Sequence, residues 1–183
     1  MLSSQRRKEL GVNLYWQPLC ASLFIGAFLY ALKLVHTTNL SWALGAGAMS
    51  STAYIVFGSP SKKSAQMKSV LGGYLLAMFC GFFIQLILQF FIHYTSFASK
   101  DVCLACFSWF SALVVGLTLF VMALFDCEHP PAAGLAMMLV IDLRGDKLLL
   151  IILLSVLVIS MIRVILRQRL KDLLPLTLLS REN

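Results

Sequence analysis

Acidic residues are scarce in this chain: eight aspartates and glutamates stand among 183 residues, beside fifteen lysines and arginines and three histidines. Charged residues of both signs reach only 13%, roughly half of what soluble domains carry. So few charges cannot cover a water-soluble fold of this length, because small domains leave much of their area exposed. Cysteine is also sparse and scattered. Only Cys103 and Cys106 lie close together, and neither a second CxxC nor a histidine pair completes a metal site. The plain reading of that pair is two small apolar residues at the start of a helix. With no nucleophile–base pair and no ligand set, neither enzymatic chemistry nor a metal or cofactor is expected. The basic start is not followed by a short apolar stretch and a small-residue cleavage site, so no cleaved leader is expected.

Apolar surface is what the chain has in excess. Hydrophobic residues make up 60%, against roughly 45–50% in soluble domains, and the mean hydropathy is +0.87. A lipid bilayer can cover what water cannot, so an integral membrane protein with one domain is expected. The net charge of +7 does not argue for nucleic acid, because the basic residues sit in short clusters between apolar runs. Arg6, Arg7 and Lys8 form one; Lys62, Lys63 and Lys68 another; Arg163, Arg167, Arg169 and Lys171 the third. Such clusters at the ends of spans are topology signals.

About 20 apolar residues cross a hydrocarbon core, and the segments fall at residues 18–35, 40–57, 70–92, 104–125, 129–143 and 148–166. Tyr15 and Trp16 anchor the first at the interface, Lys33 is positioned to snorkel at its end, and Trp42 and Trp109 lie near other span ends. The fifth segment is short enough to be either a span or a re-entrant loop, and the charges decide between them. If all six cross, the three basic clusters share one side, and the other side holds only Lys100, Asp101, Asp142, Arg144, Asp146 and Lys147. That is the positive-inside pattern, with both termini cytoplasmic in a bacterial inner membrane. The expected fold is therefore an all-α bundle of six transmembrane helices. Residues 1–17 form a cytoplasmic segment, 18–166 the membrane domain, and 167–183 an amphipathic tail at the interface.

Three spans followed by three suggest a 3+3 inverted repeat, with a short or interrupted helix in the middle of each triplet. The second segment holds Gly45, Ala46, Gly47, Ala48, Met49 and Ser50; the fifth holds Ala133, Gly134, Leu135, Ala136 and Met137. Inverted repeats with short helices in matching places point to a midplane transport site. Small residues equally serve tight helix packing, and they permit a homodimer. In the third segment Gly73, Ala77 and Gly81 form a small-residue row that continues into Gln85, Gln89 and His93. Gln85 is the one of these three polar residues with an even claim to a cavity wall; interhelical hydrogen bonding explains Gln89 and His93.

The stretch Glu128, His129, Pro130, Pro131, Ala132, Ala133, Gly134 is the most informative. Two prolines suit a first helical turn. The free amides that follow would face back toward His129, making an anion site at the positive end of the helix dipole. Asp126, Glu128 and His129 are candidate proton carriers.

These residues resemble the HPP family of integral membrane proteins, whose name is the tripeptide at His129, Pro130 and Pro131. A second block agrees: Gly45 to Ala48, then Ile55, Val56, Phe57, Gly58, Ser59 and Pro60, then Ala65 and Gln66, then Val70, Leu71, Gly72 and Gly73. The similarity extends over about residues 40–165. The chain departs from the family pattern at Met67, where proline is usual, and at Tyr74, where histidine is usual. After the HPP tripeptide it has Leu135 where the pattern has a threonine. The family is commonly described with four spans, whereas the charge pattern here favours six. The resemblance implies a transporter of small inorganic anions, nitrite first among them. The substrate-binding candidates are His129, Pro130, Pro131, Ala133, Gly134, Gly45, Ala46, Gly47, Ser50, Gly72, Gly73 and Gln85. A non-transporting structural or regulatory membrane subunit is the alternative.

Overall fold

The computed structural model describes residues 4–34, 39–94, 100–141 and 146–173, with side chains in α1 from residue 15 and in α4 from residue 107. Among these residues six helices follow one another: α1 (Ser4–Lys33), α2 (Asn39–Gly58), α3 (Met67–Tyr94), α4 (Lys100–Leu124), α5 (Pro131–Ile141) and α6 (Asp146–Ile165). A 3₁₀ turn, Lys63–Ala65, interrupts the connection from α2 to α3. No strand occurs among the described residues. Each expected apolar segment holds a helix, and the boundaries move by a few residues except at α1. That helix begins at Ser4 and runs through Pro18, and its candidate span is Tyr15–Lys33.

Among the described residues, four helices are long and apolar enough to cross a bilayer: α1, α3, α4 and α6. Their outward faces carry large exposed apolar side chains such as Leu23, Phe79, Phe120 and Leu154, as lipid-facing surfaces do. The other two helices differ from these. The small and hydroxylic residues of α2 dilute its hydropathy, yet it is an uninterrupted helix of 20 residues, about 30 Å long at 1.5 Å per residue. Only α5 is short. Its 11 residues reach about 16 Å, roughly half a hydrocarbon core.

Helix α5 packs against α2, α3 and α4, and Ala132, Ala133, Leu135, Ala136, Met138, Leu139 and Val140 are all buried. Gly81 of α3 lets it approach. A Cβ at Gly81 would lie 2.8 Å from Leu139 Cδ1 and 3.2 Å from the Ala136 backbone. Ala77, between Gly73 and Gly81, is fully buried, so the small-residue row of α3 is the bed on which α5 lies.

One end of the bundle is tied by long-range hydrogen bonds. Buried Gln17 of α1 donates from Nε2 to Phe57 O at 2.6 Å and to Lys171 O at 2.9 Å. Arg163 of α6 donates to Pro60 O at 3.2 Å. Leu173 N–H donates to Gly58 O at 3.0 Å, and Ser61 N–H to Asp172 Oδ1 at 3.0 Å. Of the expected amphipathic tail, residues 170–173 are described and are not helical. They leave the helix after a turn and lie across the α2–α3 connection, where their amides find partners. The rest of that tail, from residue 174, lies outside the described residues, as do Asp142 and Arg144 on the opposite connection. So do the side chains of Cys103 and Cys106.

Candidate functional site

The polar centre of the molecule lies where α5 begins, and the end of α4 determines how the chain gets there. Cys127 N–H bonds to Met122 O at 3.0 Å and Asp126 N–H to Ala123 O at 3.3 Å, the paired bonds of a Schellman motif. Asp126 takes the left-handed position with φ 57°, which glycine usually fills and aspartate tolerates. The turn sends residues 127–129 back into the bundle as non-helical chain. Gly72 and Gly73 of α3 make room for it. A Cβ at Gly72 would stand 2.8 Å from Cys127 Sγ, and one at Gly73 would stand 2.7 Å from His129 Cβ and 3.3 Å from Cys127 O.

His129 is thereby brought fully inside the protein. Its Nδ1 lies 2.8 Å from Ser64 O in the 3₁₀ turn. A carbonyl only accepts, so Nδ1 carries a proton. Its Nε2 lies 3.0 Å from Thr52 Oγ1 of α2. Thr52 is in turn 2.9 Å from the hydroxyl of Tyr74 on α3, and that hydroxyl reaches Met49 Sδ at 3.4 Å. The Tyr74 and His129 rings are 5.6 Å apart and tilted by 42°. Thr52, Tyr74 and Met49 are as fully buried as His129. Thr52 is six residues from the end of α2, or about 9 Å into the bundle. The non-helical chain thus reaches the depth of Thr52, and α5 continues from there. Irregular backbone at membrane depth is tolerated only when protein surrounds it, and here it does.

Of the residues expected to bind substrate, His129, Gly72 and Gly73 meet at this centre. Pro131 opens α5 as its shape predicts, while Pro130 is exposed. Ala133 and Gly134 lie deeper; a Cβ at Gly134 would sit 3.6 Å from Ala48 Cβ. The expected anion cradle of free α5 amides is not open. Ala132 N–H bonds to His129 O and Ala133 N–H to Pro130 O, each at 3.0 Å. The turn closes on itself and uses the donors that a helix start would otherwise offer. Gly45 is a packing position, its Cβ site 3.6 Å from Ile152 Cδ1. Ala46 is half-buried beside it. Gly47 and Ser50 are exposed and on the wrong side of α2: nothing approaches Gly47, and Ser50 lines a separate cleft of about 340 Å³ between α1 and α2. Gln85 is buried one turn beyond Gly81, away from His129, whereas Gln89 and His93 are exposed.

The acidic candidates are at the surface. Asp126 is paired with Lys63, and Lys68 Nζ stands 3.9 Å from its other oxygen. The Lys63 ammonium, first by its hydrogen bond and then by its charge, holds the Asp126 carboxyl below its ordinary range. A carboxylate stabilised in that way keeps its charge and makes a poor proton carrier near neutrality. Glu128 is exposed beside it. Thr52, Ser64 and Met49 were not among the expected site residues, and Tyr74 stood out only as a departure. The signal for Thr52 was its place on the Gly45–Met49 face, at helical steps of four and three.

A family model described as "HPP, transmembrane region" matches residues 9–172. The chain belongs to the HPP transmembrane family. The match takes in all six helices and the docked residues 170–172, so the whole described bundle is the HPP unit, and the protein is an integral membrane protein. The tripeptide that names the family is, in this chain, the point where the α4 cap, the glycines of α3 and the hydroxyl of α2 converge. No curated protein and no solved structure matches the chain.

Proposed function

We propose that this HPP protein carries a small inorganic anion across the membrane, nitrite being the first candidate, together with a proton held by His129. The observation that carries the reading is a fully buried, ionisable ring at the non-helical start of a spanning segment, tied to α2 and to the α2–α3 turn. Hydrogen bonds between membrane helices return only about 0.6 kcal/mol each. A buried histidine, threonine and tyrosine are thus an expensive way to hold helices together, and intramembrane ionisable groups mark function by default. Resemblance to HPP proteins associated with nitrite transport supports the choice of ion.

Physics supports the proton. An inside-negative potential opposes entry of a monoanion by about 2.3 kcal/mol per 100 mV, and a co-transported proton cancels that charge. A fixed cation at the bilayer centre costs roughly 2.5–3.5 kcal/mol on insertion scales, whereas a histidine is charged only when it holds the proton. The Lys62–Lys68 cluster and Arg163–Lys171 share the end of the bundle tied by Gln17 and Arg163, which favours that end, and both termini, as cytoplasmic. A bacterial inner membrane is the setting that this reading assumes.

The alternative is a non-transporting membrane subunit. It draws support from the consumed amides of Ala132 and Ala133 and the filled face at Gly45. Uptake of nitrite into proteoliposomes holding only this protein, with and without an imposed pH gradient, separates the two. Proton-coupled transport requires gradient-dependent uptake that falls at least tenfold in His129→Ala. Uptake indifferent to both, or absent until a partner is added, rejects it.

A further inference from the structure

Four hydroxyl side chains within the helices return their protons to their own backbone. Ser51, Thr52, Ser111 and Thr118 each lie 2.6–2.9 Å from the carbonyl four residues back, an ordinary outcome for such residues in a helix. Ser160 of α6 differs. It is 1% exposed, yet its Oγ has no partner. Three residues on, Arg163 donates from Nη2 to Pro60 O, and its buried Nε–H has no partner either. Residues three apart on a helix are neighbours, about 5–6 Å between Cβ atoms. Helix α6 thus holds two unused donors side by side, one of them on a permanent cation.

Neither is answered from within the protein. The ion pairs among the described residues both belong to Asp126, with Lys63 and Lys68, so the Arg163 guanidinium meets only a neutral carbonyl. A buried donor without an acceptor is costly, and charged groups inside a membrane bundle are ordinarily paired. A small oxyanion accepts from both donors and balances the charge. A water molecule could accept but would leave the charge unbalanced. The third buried atom without a partner, Gln17 Oε1 of α1, is itself an acceptor and takes no part.

The contact of α6 with α2 gives the depth of the pair. A Cβ at Gly45 would lie 3.6 Å from Ile152 Cδ1, which sets the register of the two helices. Both run toward the tied end, and each rises 1.5 Å per residue. Eight residues further along each, Ser160 is about level with Ala53, next to Thr52, the partner of His129. Arg163 then reaches about one turn past its own level to Pro60 O. We propose that Ser160 and Arg163 form a binding site for a small inorganic anion, at the depth where His129 is held. The proposal rests on the transport reading and places its anion, which the closed amides of α5 left without a site. Ser160 shares the buried face of α6 with Val156 and Ile159, where a lipid headgroup does not enter, so the ligand is a free ion.

The test is thermal unfolding of the full chain in detergent, titrated with sodium nitrite, nitrate or chloride against sodium gluconate at equal ionic strength. At least one of the three should raise the unfolding midpoint of the parent and give an apparent Kd. Ser160→Ala removes an unpaired buried hydroxyl, so in gluconate it should be at least as stable as the parent. Its Kd for the same anion should rise about tenfold, the loss of one hydrogen bond to a charged group. Arg163→Lys, which keeps a charge but loses the Nε–H, should weaken binding by at least as much; if it does not fold, Ser160→Ala decides alone. No midpoint rise with any of the three anions, or an unchanged Kd in Ser160→Ala, overturns the proposal. So does a Ser160→Ala protein less stable than the parent in gluconate, because the hydroxyl would then serve the fold. Uptake into proteoliposomes judges the transport reading separately. Midpoint shifts without uptake remove transport and leave the site standing; uptake unchanged in Ser160→Ala and Arg163→Lys does the reverse.

Discussion

The seam that α2 makes with α5 and α6 has two halves made in opposite ways. Toward Gly45 it is apolar: Met138, Leu148 and Ile152 close on the glycine at 3.6–4.0 Å, and Gly134 meets Ala48 with ordinary clearance. Toward Thr52 it is polar and tighter, with His129 inserted between α2 and α3 and glycines stripped back to receive it. The first half would serve any pair of packed membrane helices. The second holds an ionisable ring in a place that α5 alone could not fill, because the helix is too short. The chain goes to the trouble of a capped turn, an extended entry and two adjacent glycines to bring one imidazole there. The residues to change first are therefore those around His129, about 9 Å in from the tied end of α2.

The sharpest way to break this contrast is Gly73→Ala. Its Cβ would meet His129 Cβ at 2.7 Å and the Cys127 carbonyl at 3.3 Å, and a backbone neighbour cannot swing aside. Overpacking of this kind costs about 1–3 kcal/mol, more than the roughly 1 kcal/mol that alanine gains over glycine in a helix. We expect a lower midpoint in thermal unfolding in detergent and loss of the His129–Thr52 bond. A variant as stable as the parent would mean that the 127–129 segment sits elsewhere.

The opposite half predicts the opposite sign. Gly45→Ala and Gly134→Ala place their Cβ atoms at 3.6 Å or beyond from any neighbour outside their own helix, which is ordinary contact. The helix-propensity gain then prevails, and each change should leave the protein unchanged or more stable by about 0.5–1 kcal/mol. The same unfolding assay checks it. If both destabilise as much as Gly73→Ala, the two halves are not different in kind.

These differences explain what could be read before the fold was known. The number and order of helices were legible, because each is written in a run of apolar residues punctuated by charge or proline. His129 and the Gly72–Gly73 pair stood out as well, and the structure brings them together. The partners of His129 were not legible, since Ser64 and Thr52 are 65 and 77 residues away and nothing local marks either as facing a ring. The α5 amides misled for a related reason. Proline at a helix start suggests free donors, but whether the turn folds back on His129 O and Pro130 O is decided by the path of the chain. Asp126 hid that path, because a left-handed cap is ordinarily announced by glycine. Gly47 and Ser50 looked like a binding stretch through composition alone, and helical geometry turned them outward.

The smallest effect concerns the surface pair above the polar half. Asp126 is bound by Lys63 and serves as a helix cap, and the two roles can be separated. Its carboxyl is held below the ordinary range, so the pair's contribution is complete above that range, and it is lost as pH falls through the lowered value. Both side chains are largely exposed, and exposed pairs contribute little. Asp126→Gly loses the pair but relieves the left-handed backbone, whereas Asp126→Ala loses the pair and keeps the strain. We expect the glycine variant to match the parent at neutral pH and to lose the acid-dependent part of its unfolding curve. The alanine variant should be less stable by about 1 kcal/mol. If the glycine variant proves less stable than the parent at neutral pH, the pair with Lys63 outweighs the cap, and the tied end of the bundle is held by charge rather than by the path of its backbone.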